Sequence, residues 1–270
     1  VSELKKARQD LVRFWRAYVP HETPHGDVHF HHLDEPALEF DQRFLAARID
    51  GFPRFERTED RWFGIGKPEF AWELPPSPYC GDIEKSKILL FLGNPGYSPG
   101  DTIVHRDSKE FREHHWRTLY QQDLDPDFPF FVLNPKFAHT PAFIWWENRL
   151  RGQIECLQSS GRIRCSYFEA LSRIARSIAV VEFIPYPSVT RTGSTKTISK
   201  LVSVQRARNF AVASAAESNQ TLVVKRAAKD WNLPEVENPN LLVAPVSRGM
   251  WLGPKSLTGR RIADALAAGY

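Results

Sequence analysis

"SKILLFLGNPGYSPGD" (Ser86–Asp101) joins an unbroken apolar run to a turn that contains two Pro-Gly pairs. A run without polar alternation marks a strand buried on both faces, as strands of parallel sheets are. Gly-Asn-Pro-Gly is turn chemistry in its own right. Its position gives it a second reading. Open parallel sheets bind ligands just beyond the carboxyl ends of their strands, so this turn can also be a pocket floor at which Asn94 is aimed. It is not a dinucleotide fingerprint, because G-x-G-x-x-G is absent, and not a phosphate loop, because no Gly-Lys-Ser/Thr follows.

Three further apolar runs lie downstream: "IAVVEFIPYPS" (178–188), "TLVVKRA" (221–227) and "NLLVAPVSRG" (240–249). Between them the spacing predicts helices over 107–122 (capped by Asp107 or Ser108), 140–157 (Thr140 as cap, Pro141 at the first position), 166–177, 199–218 (capped by Ser199) and 258–269 (capped by Thr258). "FPFFVLN" (128–134) reads as a short extended segment. Strands alternating with helices predict an α/β fold: a three-layer α/β/α sandwich around a central four-stranded parallel sheet, over residues 84–270. Residues 1–83 read as an N-terminal appendage, with a helix over 3–18 ended by Pro20 and then an irregular wrapping segment.

The chain has 270 residues, 42% of them hydrophobic, enough for a sizeable core without disulfides. Its three cysteines have no paired spacing, which fits a reducing, cytoplasmic setting. No apolar run approaches the roughly 18 residues that a membrane span needs. A net charge of +4 permits a polyanionic partner without demanding one. Five of the nine histidines fall within residues 21–32, but their spacing matches no closed zinc site and no cysteine is near, so no metal is expected. Trp145 and Trp146 read as core or interface side chains.

"FLGNPGYS" resembles the first motif of the uracil-DNA glycosylase superfamily, in the Gly-x-Asn-Pro-Gly form of its mismatch-specific and single-strand-selective branches. The resemblance extends over roughly residues 84–270 in the order of elements, with only this motif close in letters. It implies a cofactor-free DNA glycosylase acting on uracil or a modified pyrimidine. Asn94 would position the attacking water, and Gly93, Pro95, Gly96 and Tyr97 would line the base site. The family stacks the target base on a Phe of the aromatic segment, here Phe131 first and Phe130 second, and Asn134 could add an amide. Ser247 and Arg248 fall in the loop that presses on the minor groove. Arg191 and Lys196, in the polar run 190–200, and Lys255 would contact DNA phosphates.

The chain departs from the family at two places. Many members end the second strand with an Asn that reads the uracil edge, where this chain has Glu182-Phe183-Ile184-Pro185. The last loop often carries His-Pro-Ser, where this chain has Ala244-Pro245-Val246-Ser247. These departures leave open a second function, a non-catalytic glycosylase-like module that binds nucleic acid or a modified nucleotide. A third, an unrelated small-molecule α/β enzyme, also stays open.

Overall fold

The computed structural model describes residues 2–22, 28–29, 32, 35, 48–49, 52–53, 55–58, 61–64, 71, 74–159, 165–188, 198, 200–244, 250 and 252–268. Helix α1 (Glu3–Arg16) is followed by three two-stranded antiparallel ribbons: β1 (His21–Glu22) with β2 (Val28–His29), β3 (Arg48–Ile49) with β4 (Phe52–Pro53), and β5 (Phe55–Thr58) with β6 (Arg61–Gly64). The central sheet comprises β7 (Tyr79–Cys80), β8 (Ile88–Leu92), β9 (Ile178–Glu182), β10 (Thr221–Val224) and β11 (Leu241–Val243), in the order β11-β10-β8-β9-β7.

The four apolar runs thus form the parallel strands expected of them. The sheet has five strands rather than four, because β7 pairs antiparallel on the outer side of β9, Tyr79 opposite Val181. A two-residue strand is too short to carry a periodic signal. It is fixed by its surroundings, as the Ser77 N–H donates to the Pro185 carbonyl (2.7 Å) and the Glu182 N–H to the Pro78 carbonyl (2.8 Å).

Among the described residues the later helices are α2 (Pro99–Asp107), α3 (Lys109–Tyr120), α4 (Pro141–Ser159), α5 (Tyr167–Ser177), α6 (Val202–Glu217), the single turn α7 (Ala228–Trp231) and α8 (Leu257–Ala267). Strand residues alternate between two cores, so helices cover both faces of the sheet. Leu89, Phe91 and Val181 face a core shared with Leu11 and Trp15 of α1 and Val204 and Phe210 of α6. Ile88, Leu90 and Val180 face a core shared with Leu150 of α4, Ile174 of α5 and Ile262 of α8. The first helix of the 1–83 segment is therefore one wall of a central core: Leu11 and Trp15 are completely buried, each contributing about 1.5–3 kcal/mol through burial.

Caps explain several boundaries. Ser108 Oγ accepts from the Phe111 N–H and starts α3, and Thr140 Oγ1 accepts from the Phe143 N–H at the head of α4. Asp107 instead ends α2, a helix absent from the sequence reading, where Ser98 and Asp101 form a capping box. Ser256, not Thr258, caps α8. Ser199 lies outside the described residues; the first N–H groups of α6 are met by the buried Glu35 carboxylate, at 2.7 Å from Val202 N and 3.2 Å from Ser203 N. Residues 131–133 form a 3₁₀ turn rather than an extended segment, since Leu133 N–H bonds back to the Phe130 carbonyl.

Gly81, just after β7, has φ +91°, and a Cβ there would lie 2.7 Å from the Ile178 carbonyl oxygen. Gly81→Ala is expected to cost about 1–3 kcal/mol in chemical denaturation; a loss below about 0.5 kcal/mol would contradict this placement of the edge strand.

Candidate functional site

The carboxyl ends of β8, β9, β10 and β11 open on one cleft of ≈ 900 Å³. Chain crossovers leave β8 toward one face of the sheet and β9 and β10 toward the other. β8 and β10 are neighbours whose connections leave toward opposite faces, so the loops after these two strands diverge and leave a crevice between them.

The loop after β8 forms one wall, with Gly93, Asn94, Pro95, Gly96 and Tyr97 all lining it. It is sewn to the loop after β9. Ile184 N–H donates to the Gly93 carbonyl at 2.9 Å, and Ser188 N–H to the Pro95 carbonyl at 3.1 Å. The Asn94 amide completes the seam: its Nδ2 donates to Ser188 Oγ (2.8 Å) and to the Pro95 carbonyl (3.0 Å). A carbonyl only accepts, so the nitrogen must be the atom on that side. The Asn94 oxygen is thereby turned away from the seam, and among the described residues it has no hydrogen-bond partner. The result is an acceptor of fixed orientation on the cleft wall. Gly96 answers part of the question its motif raises: a Cβ there would meet nothing within 4 Å. Packing therefore does not require this glycine, and its bare backbone faces open space.

The opposite wall is aromatic. Phe131 lines the cleft, with His114 stacked on it (centroids 6.2 Å apart, planes 19°) and Phe111 edge-on at 5.2 Å. Phe130 takes no part in the cleft lining, although it belongs to the same core as Phe131. It is wholly buried, edge-on to Trp146 at 5.0 Å. Asn134 is likewise a structural residue: Oδ1 accepts from Lys136 N–H at 3.1 Å, capping a second 3₁₀ turn. Trp145 and Trp146, read from sequence as core or interface, both border the cleft, and Trp145 is 40% exposed. Lys255 is an exposed residue ahead of α8 and takes no part in the cleft lining. Arg191, Lys196, Ser247 and Arg248 lie outside the described residues.

Sequence reading missed the polar floor. Glu182, the last residue of β9, pairs in register with Leu92 of β8 and is only 7% exposed. Burial raises its carboxyl to about 8, against a small opposing pull from Arg226, so it is held as the neutral acid at pH 7. Cys80 lies nearby, its thiol pushed up to about 12 by burial and thus unreactive. On the far side, His115 Nε2 is 3.0 Å from the Pro76 carbonyl and must carry the proton. His115 Nδ1 therefore accepts, and His105 Nε2, 3.1 Å away, donates to it. Burial lowers His115 to about 4 and lowers His105 as well, so both rings are neutral. Lys225, largely buried, and the exposed Arg226 follow β10 and line the cleft. The signal for Glu182 was its place at a strand end; its burial depends on β7, which the sequence did not reveal.

Among the described residues no cluster of three or more His, Cys, Asp or Glu side chains could hold a metal ion, and no helix is long and apolar enough to cross a membrane. Comparison with protein-family models, curated proteins and solved structures finds no match to this chain.

The two perturbed groups act oppositely on stability. The native state keeps the Glu182 proton between about 4.5 and 8, so its contribution falls as pH rises through that window. The native state refuses the His115 proton between about 6.5 and 4, so that contribution falls as pH drops. Thermal unfolding should show wild-type stability declining from pH 6.5 to 8, by about 2 kcal/mol from Glu182, while Glu182→Gln stays flatter. Parallel curves for the two proteins would show that Glu182 is ionised in the native state.

Proposed function

We propose that this protein is a DNA glycosylase that hydrolyses the N-glycosidic bond of uracil or a modified pyrimidine swung out of DNA into the cleft. The observation that carries this reading is the orientation of Asn94. Its amide nitrogen is fixed by Ser188 and Pro95, so its oxygen is presented to the cleft as an acceptor. The cleft is large enough for an extruded base, and Phe131 supplies an aromatic surface on the opposite wall. Helices on both faces of the sheet support the three-layer α/β/α architecture that the resemblance implies.

The chemistry asks little of the protein. The bond from the sugar C1′ to the base nitrogen lengthens, its electron pair goes to the base, and the sugar gains oxocarbenium character. Asn94 Oδ1 accepts a hydrogen bond from a water molecule and aims its oxygen lone pair at C1′. The water oxygen bonds C1′ and its proton passes to solvent. Preorganisation is the catalytic contribution, since a carboxamide is too weak a base to take that proton. The main chain at Gly96 and Tyr97 faces the departing base, where N–H donors stabilise the charge it gains. Extrusion costs a few kcal/mol, offset by stacking on the aromatic wall and by phosphate contacts of basic side chains, with the exposed Arg226 of the cleft lining as the described candidate.

The test is a panel of labelled oligonucleotides, single- and double-stranded, carrying uracil, modified cytosines or mismatches, with strand cleavage by alkali after incubation. Cleavage at a uracil or modified pyrimidine is expected, with Asn94→Ala slower by roughly 10²-fold or more. Ser188→Ala, which unpins the amide, should fall between the two proteins. Specific binding without cleavage would make the chain a recognition module. Neither binding nor cleavage at low salt would end both nucleic-acid readings, because phosphate-driven affinity is greatest there.

A further inference from the structure

We infer that the Glu182 carboxyl is the group that reads the heterocycle in this cleft, and that it selects a ring edge with a hydrogen-bond donor beside an acceptor. This deepens the glycosylase reading and rests on the same cleft.

Three observations converge. Glu182 lies at the floor, at the carboxyl end of a central strand and in register with Leu92, two residues before Asn94. Its side chain is almost entirely buried, yet among the described residues Oε2 has no hydrogen-bond partner. A buried polar atom without a partner costs about 1–3 kcal/mol, a cost that a ligand reaching the floor would remove. By residue alternation, Glu182 projects from the same face of the sheet as Val180, the face on which Phe131 packs. An edge-on contact with the carboxyl is therefore compatible with stacking on that ring.

The charge state fixes what can be read. A carboxylate has only acceptors and would select an edge with two donors. A carboxylic acid has one O–H and one C=O, so it pairs with a donor beside an acceptor. Both pyrimidine types present that pattern: N3–H beside O4 in the uracil type, and the exocyclic amino group beside N3 in the cytosine type. The acid serves either, since the proton can sit on either oxygen. The titratable and charged groups that share the described cleft lining with it are Arg226 and Lys225 from the end of β10, Cys80 and Tyr79 from β7, Tyr97 from the loop after β8, Asp101 and the neutral His105 of α2, and the neutral His115 of α3. Burial outweighs the pull of Arg226 and keeps the proton on Glu182.

The probe is an oligonucleotide with one 2′-fluoroarabino-uridine or 2′-fluoroarabino-cytidine, whose glycosidic bond resists cleavage, compared with the same strand carrying an abasic analogue. The ratio of the two affinities isolates the base, and it is read by fluorescence anisotropy at pH 6 and pH 9. The wild type should show a base-dependent gain of about tenfold to a hundredfold at pH 6 for at least one pyrimidine, shrinking at pH 9. Glu182→Gln keeps a donor beside an acceptor, so it should retain the gain at both pH values. Glu182→Leu should lose it. A gain that survives in Glu182→Leu, or that Glu182→Gln loses as completely as Leu, would overturn the inference. Binding rather than cleavage is measured, so failed catalysis leaves this test intact. Cleavage unaffected by Glu182→Leu would sink the inference and leave the glycosylase reading standing.

Discussion

The loops that follow β8 and β9 leave the sheet as a bonded pair. Main-chain hydrogen bonds continue past the strand ends, from Phe183 to Leu92, Ile184 to Gly93 and Ser188 to Pro95. The Asn94 side chain then closes the seam by donating to Ser188 and Pro95. A loop held this way cannot vary its distance from the opposite wall without breaking several buried hydrogen bonds, each costly to leave unmade. Proline at 95 adds to the constraint, because its φ is preset and it offers no N–H of its own. The position of the Asn94 oxygen is in this sense a property of the central sheet, transmitted through a few bonds.

The same frame explains the unusual polarity of the floor. Glu182, His105 and His115 are ionisable side chains that burial keeps uncharged near neutral pH. The basic side chains of the lining, Lys225 and Arg226, follow β10, and only Arg226 is exposed; Asp101 of α2 also lines the cleft. A neutral, largely apolar interior strengthens each hydrogen bond made inside it. The exposed Arg226 guanidinium favours an anionic group beside the cleft.

Much of this was legible in the sequence, for reasons that can be named. Fully apolar runs located β8, β9 and β10 because both faces of these strands are buried. Ser108 and Thr140 were legible as caps because the donors they satisfy lie three residues away. Features set by distant residues were not legible. Glu35 meets the start of α6 from more than 160 positions away, and β7 exists only because Pro78 and Ser77 bond the β9 segment. Helix α2 was hidden because Pro99 and Gly100 read as a turn, although the Ser98 and Asp101 pair spelled a capping box. The choice between Phe130 and Phe131 needed the packing around the 3₁₀ turn, which buries Phe130 wholly and leaves Phe131 on the cleft lining. Glu182 looked like the polar end of a strand until β7 and the β10 loop were seen to enclose it.

The central claim is that the Asn94 amide is held in one orientation, nitrogen to the seam and oxygen to the cleft. Nuclear magnetic resonance of the side-chain amide protons tests it directly. The account predicts slow exchange with water and a nuclear Overhauser contact from one Asn94 amide proton to the Ser188 β protons. Rapid exchange of both protons, with no contact to Ser188, would show a freely turning side chain and contradict it.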